Sequence, residues 1–414
     1  MSDATRQAVV GPGGCVLHIG MMKTATTSIQ GAASQHRSDL LKHGVRYPGI
    51  GLNHSEALSS ILGPGGVRYD SERHDVKWDR LVAERDQNPK DRLFLSSELI
   101  AGTNEEAVDR LIAQFGPELH VVLTVRPLAQ LLPSAWQQYV KQRTEVGYRK
   151  WLKRVVVERE GKLAKRVWAK YGMVQAARPW VDRLGPERVT VVMLDKTRPE
   201  LAFESFESLL GLPDGLLSSN LKDDRANRGL SYEEVELVRL VNQRVKDPVL
   251  DATEYRSLVR FALVDGLQNT RVPTPEEGRL RLPPQRATRI EAVAKRQIRK
   301  IRDLGVNVIG DLSSYAVMPK PDAAPVPPVT HVPANLVDDA VRCVKTAKPG
   351  GGRWRRAVGH PAPSESDRPP VPIEEAADIV TAAILRARDD RVRAAGDATV
   401  RRLQRWRGDI TKRA

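Results

Sequence analysis

Residues 15–30, Cys-Val-Leu-His-Ile-Gly-Met-Met-Lys-Thr-Ala-Thr-Thr-Ser-Ile-Gln, constrain this chain more than any other stretch. An apolar run of strand length ends at Gly20, a turn carries one lysine, and hydroxyl residues open a helical pattern. Strand, turn and helix in that order read as a βα turn. The same arrangement builds an anion site. N–H groups in the first helical turn lack intrahelical partners, the helix dipole adds partial positive charge, and Lys23 adds a full one. The hydroxyls of Thr26, Thr27 and Ser28 are placed either to cap the helix or to bond anion oxygens. A phosphate is the expected ligand.

The rest of the chain repeats the pattern. Short apolar strands are expected at 16–19, 92–96, 120–125 and 189–194, separated by helical periodicity, which is the signature of an α/β domain. In the first helix Ile29, Ala33, His36 and Leu40 fall on one face. A second helix over 102–115 carries Val108, Leu111, Ile112 and Phe115, and a third over 128–140 should bend at Pro133. Residues 203–210 read as a short helix stopped by Gly211 and Pro213. Ser231-Tyr232-Glu233-Glu234 reads as a capping box, and 284–303 as a basic amphipathic helix. From Pro319 the composition shifts. Prolines at 319, 321, 325, 327, 328 and 333 mark a stiff linker, and 348–372 is a second loose patch rich in Gly, Pro and Arg. Ile373, Ala377, Val380 and Ile384 then give a final helix with an Arg-rich end. The expected division is a catalytic domain over 1–318, a linker over 319–372 with room for a short helix, and a basic C-terminal helix over 373–414.

Composition narrows the partners. A chain of 414 residues with 41% hydrophobic content can bury a full core. It has no apolar run of membrane-spanning length, and its first seven residues lack the pattern of a secretory signal. Two cysteines, Cys15 and Cys343, cannot make a disulfide framework, so a reducing cytoplasm is the expected setting. The net charge of +15 favours anionic partners. Residues 320–414 hold eighteen Lys/Arg and twelve Asp/Glu, so the excess is spread along the chain rather than gathered in one arm. With no zinc-finger spacing, no basic block and 5% aromatics, nucleic acid is not an expected partner. The Arg-rich end points to a solvated or docking face, with peripheral contact with an anionic membrane as its functional reading.

At this point the chain resembles a known family. His18-Ile19-Gly20-Met21-Met22-Lys23-Thr24-Ala25-Thr26-Thr27-Ser28 is similar to the 5′-phosphosulfate loop of sulfotransferases that use 3′-phosphoadenosine 5′-phosphosulfate (PAPS). Val121-Val122-Leu123-Thr124-Val125-Arg126-Pro127, with Ser134 eight residues past the arginine, resembles their 3′-phosphate element. Between them Leu95-Ser96-Ser97-Glu98 ends a strand where that family usually places its catalytic base. The strand at 189–194 and the helix start Asn227-Arg228-Gly229-Leu230-Ser231 also look like bacterial members.

The resemblance implies a three-layer sandwich: a central parallel sheet flanked by helices, the P-loop NTPase-like sulfotransferase fold, with a C-terminal helical extension. It implies PAPS as donor, held by residues 22–28 (Met22, Lys23, Thr24, Ala25, Thr26, Thr27, Ser28) with Arg126 and Ser134. Lys23 would neutralise the leaving 5′-phosphate, and Glu98 would take the proton of an attacking hydroxyl. His54, in a Gly-rich loop, is a third catalytic candidate that would reach the acceptor. The acceptor would be a carbohydrate, a glycolipid or another small hydroxyl compound, and no metal is required because side chains supply the cations. His18 reads as a satisfied core or edge histidine.

Three departures stand out. Ala25 replaces the usual Gly, Met22 replaces the usual Pro, and no Arg-Lys-Gly segment supplies a second 3′-phosphate contact, a role for which Arg225 and Arg228 are the candidates. Two alternatives remain. A P-loop kinase or NTPase would need Gly-x-x-x-x-Gly-Lys-(Ser/Thr), which Lys23 three residues after Gly20 does not satisfy. A noncatalytic nucleotide-binding protein of the same fold would lack a working base.

Overall fold

A computed structural model describes residues 9–62, 71–218, 228–319, 327–347 and 368–411, with side chains described up to residue 393. Its contacts group into two compact units. One is built from Met1–Ala135, Leu152–Ala226 and Leu282–Pro325, the other from Trp136–Trp151, Asn227–Arg281 and Val326–Ala414.

The first unit holds six strands: β1 (Cys15–His18), β2 (Val45–Arg46), β3 (Arg92–Ser96), β4 (His120–Val125), β5 (Val189–Met193) and β6 (Asn307–Ile309). They lie in the order β2-β3-β1-β4-β5-β6, and every neighbouring pair is parallel. β1, β4 and β5 are buried along their whole length, as strands covered on both faces must be, and so they read in sequence as unbroken apolar runs. On one face Val16, Phe94, Val122 and Val192 pack with Ile29 and Ala33 of the helix Thr26–Gln35 and with Phe206 and Leu210 of the helix Leu201–Leu210. On the other face the helix Met173–Leu184 lies on β4 and β5, and the helices Glu105–Phe115, Gly161–Tyr171 and Ala287–Asp303 pack against it. Helix, parallel sheet and helix therefore make the expected three layers.

The differences in detail have local causes. β2 and β6 are two and three residues long, too short to show a period. The first helix is two, Thr26–Gln35 and Arg37–Lys42, broken at His36 with φ −97° and ψ 22°. Ile29, Ala33 and Leu40 are still buried, because the break is small enough to keep one face inward. The helix expected from 102 begins at Glu105, where the Asn104 side chain accepts from the Ala107 N–H (3.1 Å).

In the second unit the helices Tyr232–Arg244 and Ala334–Thr346 both pack against the helix Ile373–Thr411. The expected capping box is present, Ser231 accepting from Glu234 N and Glu234 from Ser231 N. β7 (His331–Val332) and β8 (Val371–Pro372) form a small antiparallel pair. Contacts thus join the final helix to segments 228–281 and 327–347, whereas composition set it apart. A thirteen-residue helix, Ala334–Thr346, occupies part of the expected linker. The prolines at 321 and 325, most of the 348–372 patch and the Arg-rich side chains past 393 lie outside the described residues. Among the described residues no helix is long and apolar enough to cross a membrane.

Candidate functional site

β3, β1 and β4 are adjacent and parallel, so the turns that follow them leave the same edge of the sheet. From β1 the chain first builds β2 and β3 on one side, then crosses to β4, β5 and β6 on the other. In open α/β sheets the crevice at such a switch point is where ligands bind. Three elements singled out in sequence meet here: the loop 20–25 after β1, Ser97 and Glu98 after β3, and Arg126 after β4. Backbone bonds fix their approach, with Ser97 N donating to His18 O (2.9 Å) and Met21 N to Thr124 O (3.0 Å).

Gly20 has φ +64°, and a Cβ there would lie 2.9 Å from Thr26 Oγ1 and 3.3 Å from Glu98 Cβ. Its missing side chain is what lets Glu98 lie against the loop. Lys23 (φ 72°) and Ala25 (φ 56°) are also left-handed, without being glycine. Left-handed backbone at alternate positions, as at Lys23 and Ala25, is a feature of anion nests, whose N–H groups turn toward one concave side. Ala25 occupies the N-cap of the helix Thr26–Gln35, which has no side-chain cap. Its carbonyl accepts from Ser28 N (3.0 Å) and Ile29 N (3.2 Å).

The hydroxyls divide by direction. Thr24 is buried and accepts from Met21 N (3.0 Å), donates to Met21 O and meets Thr124 Oγ1 at 2.8 Å. Thr26 is buried too, with Oγ1 3.4 Å from Met21 O. Both brace the loop from within. Lys23, Ala25 and Thr27 are exposed, Met22 and Ser28 half-buried, and the Tyr171 hydroxyl lies 3.8 Å from Met22 Sδ.

Arg126 differs from an ordinary strand-end arginine. Its Nη2 donates to Gln130 O (2.7 Å), while its buried Nε and the buried Gln130 Oε1 have no partner. No carboxylate pairs with it among the described residues. Burial pulls its pKa down to about 10, opposed by Tyr171. A half-buried guanidinium with a buried, unsatisfied N–H is costly by itself and fits an anion. Ser134 follows on the helix Leu128–Val140, one turn past Gln130 and half-buried.

Glu98 is half-buried, and its Oε2 accepts from Gln30 Nε2 (3.3 Å). His54 is buried, with Nδ1 accepting from Ser96 N (3.0 Å) and Nε2 against Pro48 O (3.0 Å). Both ring nitrogens are spent on backbone, and burial, aided by Arg37, pulls its pKa down to about 4. In this arrangement it ties its loop to β3 and turns neither nitrogen toward an acceptor. Arg225 lies outside the described residues. Arg228 is committed to both oxygens of Glu234 (2.7 and 2.8 Å) and so is not spare for a phosphate. His18 is buried between Ser96 Oγ (2.9 Å) and Thr124 Oγ1 (3.1 Å), and burial pulls its pKa down to about 3.

No family model and no curated protein matches the sequence. Among solved structures, the crystal structure of a sulfotransferase from Alicyclobacillus acidocaldarius is similar over 48% of this chain and 81% of that one, at 13% identity and a TM-score of 0.34. A likeness that slight carries no argument about this chain.

Sequence reasoning passed over Gln30, Thr124, Gln130 and Tyr171, all of which face the site residues. Gln30 had a readable signal: it is one residue past Ile29, on the face the helix buries, where an uncompensated amide would be costly. Among the described residues no group of three or more His, Cys, Asp or Glu is placed to hold a metal ion.

Proposed function

We propose that this chain transfers a sulfuryl group from PAPS to a hydroxyl of a carbohydrate, glycolipid or other small acceptor. The observation that carries the reading is Arg126, half-buried with an unpartnered Nε and no carboxylate among the described residues, at the same sheet edge as an uncapped helix N-terminus and Lys23. Two anion positions at the ends of adjacent strands, β1 and β4, suit a ligand phosphorylated at two places. Glu98 beside them supplies a carboxylate.

In this reading the N–H groups opening the helix Thr26–Gln35, Thr27, Ser28 and Lys23 hold the 5′ end of the donor. Arg126 and Ser134 hold its 3′-phosphate. Met22, Thr24, Ala25 and Thr26 shape the loop. The donor supplies an activated sulfuryl group whose leaving group is a phosphate. Glu98 accepts the proton of the acceptor hydroxyl as its oxygen bonds to sulfur, and Lys23 balances the charge left on the phosphate when the S–O bond breaks. The protein's contribution is chiefly alignment and charge. His54 is left out of the catalytic set because its nitrogens are engaged.

Calorimetry tests the reading. Adenosine 3′,5′-bisphosphate should bind more tightly than adenosine 5′-monophosphate and than ATP with Mg²⁺. Tighter binding of ATP with Mg²⁺ would overturn it in favour of an NTPase. Glu98→Gln should keep bisphosphate binding and lower transfer by about 10²-fold or more. Equal transfer rates for Glu98→Gln and the unaltered protein would remove Glu98 as base.

A further inference from the structure

Beneath the site runs a continuous line of buried polar groups. Asn53 Oδ1 accepts from Ser55 N (3.0 Å), which turns Asn53 Nδ2 toward Gln30 Oε1 (3.2 Å). The Gln30 amide therefore presents its two N–H bonds to Ser96 Oγ (3.0 Å) and Glu98 Oε2 (3.3 Å). The flipped amide would set oxygen against carboxylate and nitrogen against nitrogen.

The other end is equally fixed. Thr24 Oγ1 gives its proton to Met21 O and accepts from Met21 N, so at its 2.8 Å contact the proton belongs to Thr124. Thr124 Oγ1 then accepts from His18 Nε2 (3.1 Å), which makes Nδ1 the bare nitrogen and Ser96 the donor to it (2.9 Å). Each proton between Ser55 N–H and Met21 C=O has one place. His18 is neutral with its proton on Nε2, a tautomer assigned by the network. Gln30, Ser96, His18, Thr124 and Thr24 are all buried, so a broken link would leave an uncompensated polar group.

We propose that Gln30 is a positioning residue for Glu98, and that the chain Glu98–Gln30–Ser96–His18–Thr124–Thr24 ties the orientation of that carboxylate to the loop carrying Lys23. The inference rests on the reading of Glu98 as the base. The Gln30 amide donates to one oxygen of Glu98 and holds it against Gly20, leaving the other oxygen for a substrate proton. A ligand that moves the loop at Met21 shifts Thr24, and the shift passes to His18 and Gln30 through single hydrogen bonds. The chain is long in sequence and short in space, crossing β4, β1 and β3 side by side.

The test uses the full chain with nitrogen-15-labelled histidine, adenosine 3′,5′-bisphosphate as probe, and the variants Gln30→Met and Gln30→Glu. The imidazole spectrum should show His18 as the Nε2–H tautomer at neutral pH. Its signals should move when the bisphosphate is added and in Gln30→Met. With PAPS and an acceptor that supports transfer, Gln30→Met should lower kcat roughly tenfold while KM for PAPS stays within about twofold. Gln30→Glu, close in volume, should shift the acid limb of the pH–rate profile upward by on the order of one unit, since a second carboxylate disfavours ionisation beside it. A His18 proton on Nδ1, or a rate and pH profile unchanged in both folded variants, overturns the inference while leaving bisphosphate binding intact. Failure of the unaltered protein to bind the bisphosphate overturns the site reading, and the inference with it.

Discussion

Two arginines whose Nε is buried, one in each unit, meet desolvation in opposite ways. Arg271, in the second unit, is buried against Glu234 (3.0 Å), Glu277 (2.9 Å between Nη1 and Oε2) and Asp339 (3.3 Å), carboxylates that are buried themselves. Asn335 Oδ1 adds a neutral acceptor (3.2 Å). Burial alone would lower its pKa, but the side chains of Glu277 and Glu234 more than offset it and the pKa is raised. Arg126, in the first unit, has a backbone carbonyl and no acid, and its pKa falls. The first is a structural knot that holds the helices Tyr232–Arg244 and Ala334–Thr346 through acids on each; its Nε also lacks a hydrogen bond, so what sets it apart is the acids that neutralise its charge. The second has no acid partner among the described residues, and that difference is what supports the proposed anion at Arg126 and not at Arg271.

The sharpest way to break this comparison is to remove each guanidinium. Arg271→Met takes the shared cation from three buried carboxylates, leaving Glu234 to Arg228, Asp339 to Arg342 and Glu277 with hydrogen bonds but no arginine, and should cost about 3–5 kcal/mol in urea unfolding. A loss under about 1 kcal/mol would mean the knot is solvated in solution and the contrast is false. Arg126→Met removes an uncompensated charge, so stability should hold or rise slightly. Its affinity for adenosine 3′,5′-bisphosphate should fall roughly tenfold to a hundredfold, about 1.5–3 kcal/mol for charge-assisted bonds. A large loss of stability with unchanged affinity would make Arg126 structural, like its counterpart.

Where the candidate residues would lie was legible in sequence, because strands buried on both faces announce themselves and the charged residues that follow them are easily placed. Lys23, Glu98 and Arg126 each sit within a few residues of a strand end, and parallel neighbours bring strand ends together. The invisible part is what joins distant segments. Arg271, Glu234, Glu277 and Asp339 look like ordinary charges until two separate pieces of chain fold into one unit. The line from Gln30 to Thr24 spans strands about a hundred residues apart in sequence, and a polar residue in a helix or strand carries no mark of its partner. His54 misled because a histidine in a Gly-rich loop looks available, whereas the loop folds back and spends both nitrogens on backbone.

Acid should reveal the neutral half of the same principle. Burial lowers the pKa of His18 to about 3, of His54 to about 4 with help from Arg37, and of His120 to about 4 with a smaller push from Arg188. These groups bind protons more readily unfolded than folded, so the stability they hold is complete above about pH 6.5. It is lost as pH falls from there toward the folded values. Between pH 6.5 and 5 each should cost the first unit about 1–2 kcal/mol, measured as a falling urea midpoint. A flat midpoint over that range would show that the three imidazoles are hydrated in solution, and the proton order assigned to His18 would fail with them.

The smallest expected effect bears on the loop itself. Ala25 sits at φ 56° and ψ 13°, where a Cβ costs about 1–2 kcal/mol relative to glycine, and no side chain caps the helix it precedes. Glycine brings back about 0.5–1 kcal/mol of unfolded-state entropy, so Ala25→Gly should stabilise the chain by no more than about 1 kcal/mol. Affinity for the bisphosphate should change little, because the left-handed geometry that aims the N–H groups is already present. If glycine instead raised affinity tenfold, the alanine would be holding the loop in a poorer nest, and the strain at Ala25 would belong to ligand release rather than to folding. If it destabilised the protein, the left-handed turn would not be the geometry of the loop in solution, and the anion site built on it would have to be redrawn around Arg126 alone.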